Sequence, residues 1–291
     1  MKVSVSTYSY IQLINKGVLT QLDCISKAKE MGFDAIEIES IRPHDDSSPM
    51  EYAKKLRDEA TLLNMPISSF TFGADFLTGS NGDVNAEISR VKGMIDIAEA
   101  LGAKIVRHDA TYGYPQNLRK YRGFEDALPI LADACRQVTE YAAAKGIRTT
   151  VENHGFFSQD SERVEKLVNA VAHENFGLLV DMGNFLCADE DPAIAVGRVA
   201  PYAFYAHAKD FHVKSCMGPN PGQGFFKSRN GNYLRGAIIG HGDVPVRHCL
   251  TALKKAGYDS YIAIEFEGME EPIMALSIGL ENLRRYLTEI E

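Results

Sequence analysis

Eight short apolar runs alternate with eight stretches of helical periodicity along this chain, and no other feature narrows its fold as much. The runs are Val3 to Tyr8, AIEIES (35–40), PISSFTF (66–72), KIVRHD (104–109), RTTVENHG (148–155), FGLLVDMGNF (176–185), YAFYAHAKD (202–210) and YIAIEFEG (261–268). Their apolar parts are four to six residues long and rich in Val, Ile, Leu, Tyr and Phe, which is how a buried parallel strand reads. Between them, residues such as Leu22, Ile25, Ala28 and Met31 recur at helical spacing. Further helices are expected over 50–63, from Asp83 to Gly102, and over 124–144, 161–172, 192–199, 246–256, with a last one ending near Leu287. Gly32, Gly102, Gly146 and Gly257 each follow a helical stretch and precede a strand, where a left-handed residue caps a helix. Alternation of this kind implies a parallel sheet, and eight units imply a closed (β/α)8 TIM barrel, with residues 1–291 as a single domain. The nucleotide-binding patterns G-x-G-x-x-G after the first strand and G-x-x-x-x-G-K-[ST] are missing, which speaks against an open doubly wound sheet.

Composition then removes classes of partner. With 45% apolar residues the chain can build a large core, and its formal charge of −8 supplies no basic face for nucleic acid. A small solvated molecule is the better partner. The five cysteines, Cys24, Cys135, Cys187, Cys216 and Cys249, are scattered without a C-x-x-C pair and read as small buried hydrophobes in a reducing compartment. The start, MKVSVSTYSY, alternates like a strand and lacks the apolar core of a signal peptide; no run approaches membrane-spanning length. A cytoplasmic enzyme without nucleic-acid or membrane partners is expected, and nothing opposes a homo-oligomer. The one irregular stretch, a long loop at 214–240 rich in Gly, Pro and Asn, reads as a lid or pocket wall.

Four of the runs carry a metal-ligand type at their C-terminal end, where active sites of this fold collect: Glu152, Asp181, His207 and Glu265. Each alone could be a helix cap or a solvated charge. Together, three carboxylates and an imidazole form a mainly oxygen site that suits one divalent ion, Mn²⁺ first, with Mg²⁺, Co²⁺ or Zn²⁺ as alternatives.

The motifs V-E-N-H (151–154), V-D-x-G-N (180–184), H-x-K-D (207–210), G-H-G-D-V (240–244) and I-E-F-E (264–267) resemble the xylose isomerase-like TIM barrel superfamily. The resemblance covers essentially the whole chain and is strongest to the sugar phosphate isomerase/epimerase branch, which includes ketose 3-epimerases and inosose dehydratases. It implies that Glu152, Asp181, His207 and Glu265 bind the metal, and that Glu152 and Glu265 also flank the substrate carbon as acid and base. A proton next to a carbonyl becomes removable when a cation stabilises the enediolate oxygens and a carboxylate stands close by. Return on the opposite face gives epimerisation, transfer on one face isomerisation, and loss of a β-hydroxyl dehydration. The expected function is therefore a metal-dependent isomerase or epimerase of a sugar or sugar derivative, with a lyase on an oxidised sugar or cyclitol as the alternative. A nuclease of the same superfamily would need more ligands and a basic face. A binding barrel without catalysis would not need both glutamates.

His154, Lys209, Asp210, His241, Arg107 and Glu267 are the expected substrate contacts. Lys209 would meet an anionic or hydroxyl group and Asp210 would orient His207 or a neighbouring cation. Glu267 faces the same side as Glu265, so either could be the ligand; the resemblance favours Glu265. Arg107, His108, Asp109, Glu37 and Glu39 rim the pocket, and a buried Arg–Glu pair across neighbouring strands would explain several of them without substrate. Asn184 suits a helix cap or a sugar contact equally. Two departures from ketose 3-epimerases concern the substrate: Met182 to Phe185 replace a His-containing segment, and the 214–240 stretch is longer.

Overall fold

The computed structural model describes residues 1–290. Its strands and helices, in chain order, are β1 (Lys2–Ser6), α1 (Ile11–Asn15), α2 (Gln21–Met31), β2 (Ala35–Glu39), α3 (Pro49–Leu62), β3 (Ile67–Phe72), α4 (Val84–Leu101), β4 (Ile105–His108), α5 (Phe124–Ala143), β5 (Arg148–Glu152), α6 (Ser161–Val171), β6 (Phe176–Asp181), α7 (Pro192–Val199), β7 (Ala203–Ala208), β8 (Asp210–Lys214), β9 (Phe226–Lys227), β10 (Tyr233–Ala237), α8 (Val246–Lys255), β11 (Tyr261–Ile264) and α9 (Pro272–Glu289). Eight strands close a parallel barrel in the order β1-β11-β7-β6-β5-β4-β3-β2. This is the (β/α)8 architecture that the alternating runs predict.

Local chemistry sets the boundaries. Thr20 and Asp23 form a reciprocal capping box at the start of α2, as Ser48 and Glu51 do for α3. Gly32, Gly102, Gly146 and Gly257 all adopt positive φ between 67° and 89°. A side chain there would cost about 1–2 kcal/mol in the left-handed region.

Two features differ from the sequence expectation. A 3-10 turn at Thr7–Tyr10 and the short α1 follow β1 before the first full barrel helix. More consequentially, 214–240 is not a structureless loop: β8, β10 and β9 form a three-stranded antiparallel sheet, with Tyr233–Ala237 paired to Asp210–Lys214. The alternation of Tyr, Leu, Arg, Gly and Ala in β10 is too weak to be read against so many neighbouring breakers. Cys216 lies exposed in this segment, whereas the other four cysteines are buried as expected.

The barrel interior also explains where the site stands. Tyr205 and Ser68, both buried, share a 2.7 Å hydrogen bond, and Ser68 meets Ser4 at 2.8 Å. This polar layer satisfies the hydroxyls beneath the C-terminal mouth, and the Tyr205 ring meets His207 edge-on at 5.9 Å. Among the described residues no helix is long and apolar enough to cross a membrane.

Candidate metal centre and active site

Alternation along β5, β6 and β7 turns Glu152, Asp181 and His207 toward one point at the mouth, and Glu265, directly after β11, joins them. Ligand atoms of the four lie within 4.8 Å of one another. His207 Nε2 donates to both oxygens of Glu37, at 2.9 and 3.1 Å. That bond places a ring proton on Nε2 and turns Nδ1 toward Glu265, Glu152 and Asp181 at 3.6, 3.7 and 3.7 Å. Nδ1 of His207 and Oδ2 of Asp181 are buried without a hydrogen-bond partner. Buried polar atoms are costly when unpaired, and a divalent cation between them satisfies both. Three carboxylates and one imidazole suit Mn²⁺ or Mg²⁺, with Co²⁺ and Zn²⁺ also accommodated. The residues present therefore fit a metal ion.

Each ligand is held from behind. Asp181 Oδ1 accepts the backbone N–H groups of Gly183 and Asn184 at 2.8 Å, which is what the M-G-N segment does here. Asn184 also donates to Glu152 Oε1 at 2.9 Å and accepts from Lys209 Nζ at 3.2 Å. Arg107 pairs with Glu152 and, at 2.9 Å, with Asp109. The ammonium of Lys209 lies 2.5 Å from Glu265, 3.3 Å from Asp181 and 3.5 Å from Glu267.

These contacts decide the charge states. Burial alone would raise the carboxyl of Glu152, but Arg107 brings it down to about 2. Burial likewise opposes ionisation of Glu265, and Lys209 and His207 overcome it, leaving that carboxyl well below its ordinary value. Burial disfavours the imidazolium of His207, yet Glu37 and Glu265 raise its pKa well above the usual value. The same negative field favours a divalent cation. Glu267 is raised, chiefly by burial.

The pocket above this cluster has a volume of about 340 Å³ and is lined by Tyr8, Glu39, Arg107, Asp109, Tyr112, His154, Lys209 and Glu267 together with Glu152 and Glu265. Four of the six expected substrate contacts, His154, Lys209, Arg107 and Glu267, thus line it. Asp210 and His241 do not. Asp210 orients neither His207 nor a cation: Gly240 and Gly242 donate to its Oδ2 and Val244 and Phe211 to its Oδ1. Burial pushes its pKa up while the four N–H groups hold it down. Since both oxygens meet only donors, the carboxylate is the form that fits. His241 is exposed, because the two glycines beside it turn their amides inward to Asp210 and the side chain outward.

The expected buried Arg–Glu pair exists between β4 and β5, but its acid is Glu152; Glu39 pairs with Arg42 at 2.7 Å, and Glu37 serves His207. A carboxylate in the middle of the apolar AIEIE run was the available signal for Glu37. His154 Nδ1 lies 2.9 Å from Asp109 Oδ1, whose other oxygen accepts from Tyr112 at 3.0 Å. The 214–240 segment does not line the pocket; Gly236 of β10 packs on the backbone of Glu267, where a Cβ would stand 2.6 Å from the carbonyl. It braces the wall from outside.

The chain belongs to the xylose isomerase-like TIM barrel family, whose model matches residues 25–286. Among curated proteins it is 28% identical over 215 residues to the uncharacterized protein YihM of Escherichia coli K12, which covers 73% of this chain and 60% of YihM. It is 22% identical over 246 residues to inosose dehydratase of Lacticaseibacillus casei, covering 81% of this chain and 78% of that protein. D-psicose 3-epimerase of Clostridium cellulolyticum H10, solved with D-tagatose, superposes with a TM-score of 0.73 at 16% identity over 99% of both chains. The IOLI protein, solved with a zinc atom, gives a TM-score of 0.73 at 17% identity over 100% of this chain and 98% of that one.

Proposed function

We propose that this protein is a divalent-metal-dependent isomerase or epimerase of a sugar or sugar derivative, with residues 1–291 acting as one catalytic domain. The observation that carries it is the pair of buried carboxylates, Glu152 and Glu265, each held ionised by its own cation beside the orphaned His207 Nδ1 and Asp181 Oδ2. Asp181, His207 and the two glutamates would hold the ion, which when bound supplies positive charge to the enediolate oxygens of the substrate. Arg107 and Asn184 fix Glu152, and Lys209 fixes Glu265, so each carboxylate keeps a defined orientation and its basic form. One takes the proton beside the carbonyl and the other returns it. The curated inosose dehydratase and the solved D-psicose 3-epimerase are relatives that support a carbohydrate substrate.

A dehydratase is the second reading, favoured by one observation. His154 is partly exposed to the pocket, its Nδ1 is held by Asp109, and burial's lowering of its pKa is outweighed by that carboxylate, so the ring is raised above its ordinary value. An imidazolium poised in this way can donate a proton to a leaving hydroxyl.

The deciding experiment incubates the metal-replete protein with ketoses, inososes and keto-sugars in deuterated water. Deuterium uptake at carbon that a chelator abolishes is expected. A product lighter by one water selects dehydration, whereas turnover with full retention of the original hydrogen would point to hydride transfer and overturn the two-base reading.

A further inference from the structure

Glu152 and Glu265 are held in place by different means. Glu152 is the last residue of β5 and lies inside the barrel ladder, its strand paired with β4 on one side and with β6 on the other. Glu265 lies one residue beyond β11, whose ladders to β1 and β7 both end at Ile264. Its N–H donates to the carbonyl of Ala208 at 3.0 Å, the last bond to the barrel on that side. A backbone that leaves a sheet needs other partners for its polar groups.

Two features outside the regular (β/α)8 pattern supply them, each from the chain that follows one neighbour of β11 in the barrel. In the 3-10 turn after β1, Ser9 Oγ accepts the N–H of Phe266 at 2.9 Å and donates to the carbonyl of Ile264 at 3.0 Å, so one buried hydroxyl spans Glu265. In α1, Gln12 Nε2 donates to the carbonyl of Gly268 at 2.8 Å. In the small sheet after β7, Gly236 of β10 forms a parallel bridge to Gly268. A Cβ at Gly236 would stand 2.6 Å from the carbonyl carbon and oxygen of Glu267 and 2.7 Å from the nitrogen of Gly268, where ordinary contact begins near 3.4 Å. The two backbones can touch because position 236 carries no side chain.

We infer that Ser9, Gln12 and Gly236 are positioning residues that fix the Glu265 carboxylate, the 3-10 turn with α1 and the small sheet acting together as a clamp on 264–268. This rests on the two-base reading above and deepens it. The clamp bears on one base only, since Glu152 is held by Arg107 and Asn184. A misplacement of about 1 Å at a reacting group lowers rate on the order of 10²-fold. Losing the support behind a metal ligand lowers metal affinity by about 10–100-fold. A loosened clamp should therefore make the two proton transfers unequal, whereas a general loss of structure would weaken both together.

The test compares the native chain with Gly236→Ala, which forces the backbones apart, Ser9→Ala, which removes the hydroxyl, and Gln12→Met, which keeps length and removes the donor. The last two keep the test open should the first not fold. Solvent-deuterium exchange is measured separately into D-psicose and its 3-epimer D-fructose, or into the epimeric pair that the native protein exchanges in the screen above, at saturating Mn²⁺. The Mn²⁺ dissociation constant is measured without sugar. Each variant should lower exchange into one epimer by about 10–100-fold, through kcat with KM little changed, and leave the other within ~3-fold. Each should also raise the Mn²⁺ dissociation constant by about 10–100-fold. Equal losses for both epimers, or native exchange and native Mn²⁺ affinity in all three variants, would overturn the clamp and leave the isomerase reading standing. A native protein that exchanges none of the sugars would overturn the two-base reading instead, and unchanged Mn²⁺ affinity in the variants would then remove the clamp as well.

Discussion

At the scale of single residues, variants of Glu37 and of the two site glutamates would separate metal retention from proton transfer in the proposed mechanism. Glu37 holds the His207 proton on Nε2, and partners of this kind typically contribute 10–100-fold to metal affinity. Glu37→Leu should therefore raise the Mn²⁺ dissociation constant by about that factor in a metal titration, and Glu37→Gln, which keeps an acceptor oxygen, should recover part of it. Glu152→Gln or Glu265→Gln should lower turnover by about 10²–10⁴-fold, with metal content measured alongside. Single variants that remain fully active with metal bound would place the chemistry elsewhere. The grouping of Glu152, Asp181, His207 and Glu265 was legible in the sequence because each is a polar residue ending an apolar run. The partner of His207 was not, since Glu37 lies 170 residues away and only barrel closure brings it near. Asp210 was misread for a related reason: its partners are backbone amides, which leave no side-chain signature beyond the glycines of 240–242.

At the scale of elements, the small sheet of β8, β9 and β10 is tied down by Asp189, itself in left-handed conformation at φ 58°. Asp189 accepts from Ser228 Oγ at 2.6 Å, the Asn230 amide at 2.7 Å and Asn232 Nδ2 at 2.9 Å. Asp189→Ala should release the 228–232 turn at a local cost of about 1.5–3 kcal/mol, the range for hydrogen bonds to a charged group. Limited proteolysis should then cut within 214–232 while the barrel's thermal midpoint moves little. A variant as protease-resistant as the native protein would show that the turn is held by other contacts. The barrel strands were readable because period and punctuation agree over whole units. This sheet was not, because its strands are two to five residues long and its pairing is set by docking onto the β6–α7 connection.

At the scale of the whole molecule, stability carries the signature of a histidine buried in its neutral form. His108 is fully buried between Phe72 and Phe76, its Nδ1 meeting the carbonyl of Asp109 at 2.9 Å while Nε2 has no partner. Burial brings its pKa down to about 4. The unfolded chain takes up this proton near pH 6.5 and the folded one only near 4, so stability is full above the unfolded value and falls as pH drops through that window. Between pH 7 and pH 5 the loss from this group should be about 2 kcal/mol. Urea unfolding at the two pH values measures it, and His108→Phe should remove that part of the dependence.

Closure of the barrel has a further consequence, for how the chain reaches its native state. The first strand, Lys2–Ser6, completes its pairing only with Tyr261–Ile264, Val3 lying opposite Ile262. A chain still emerging from the ribosome can stack β1 to β7 in order, yet it keeps an open edge on both β1 and β7 until the last strand arrives. Contacts this distant in sequence form late and slowly. During synthesis the molecule is therefore an open sheet with two adhesive borders, and it becomes a barrel only when β11 is available to join them.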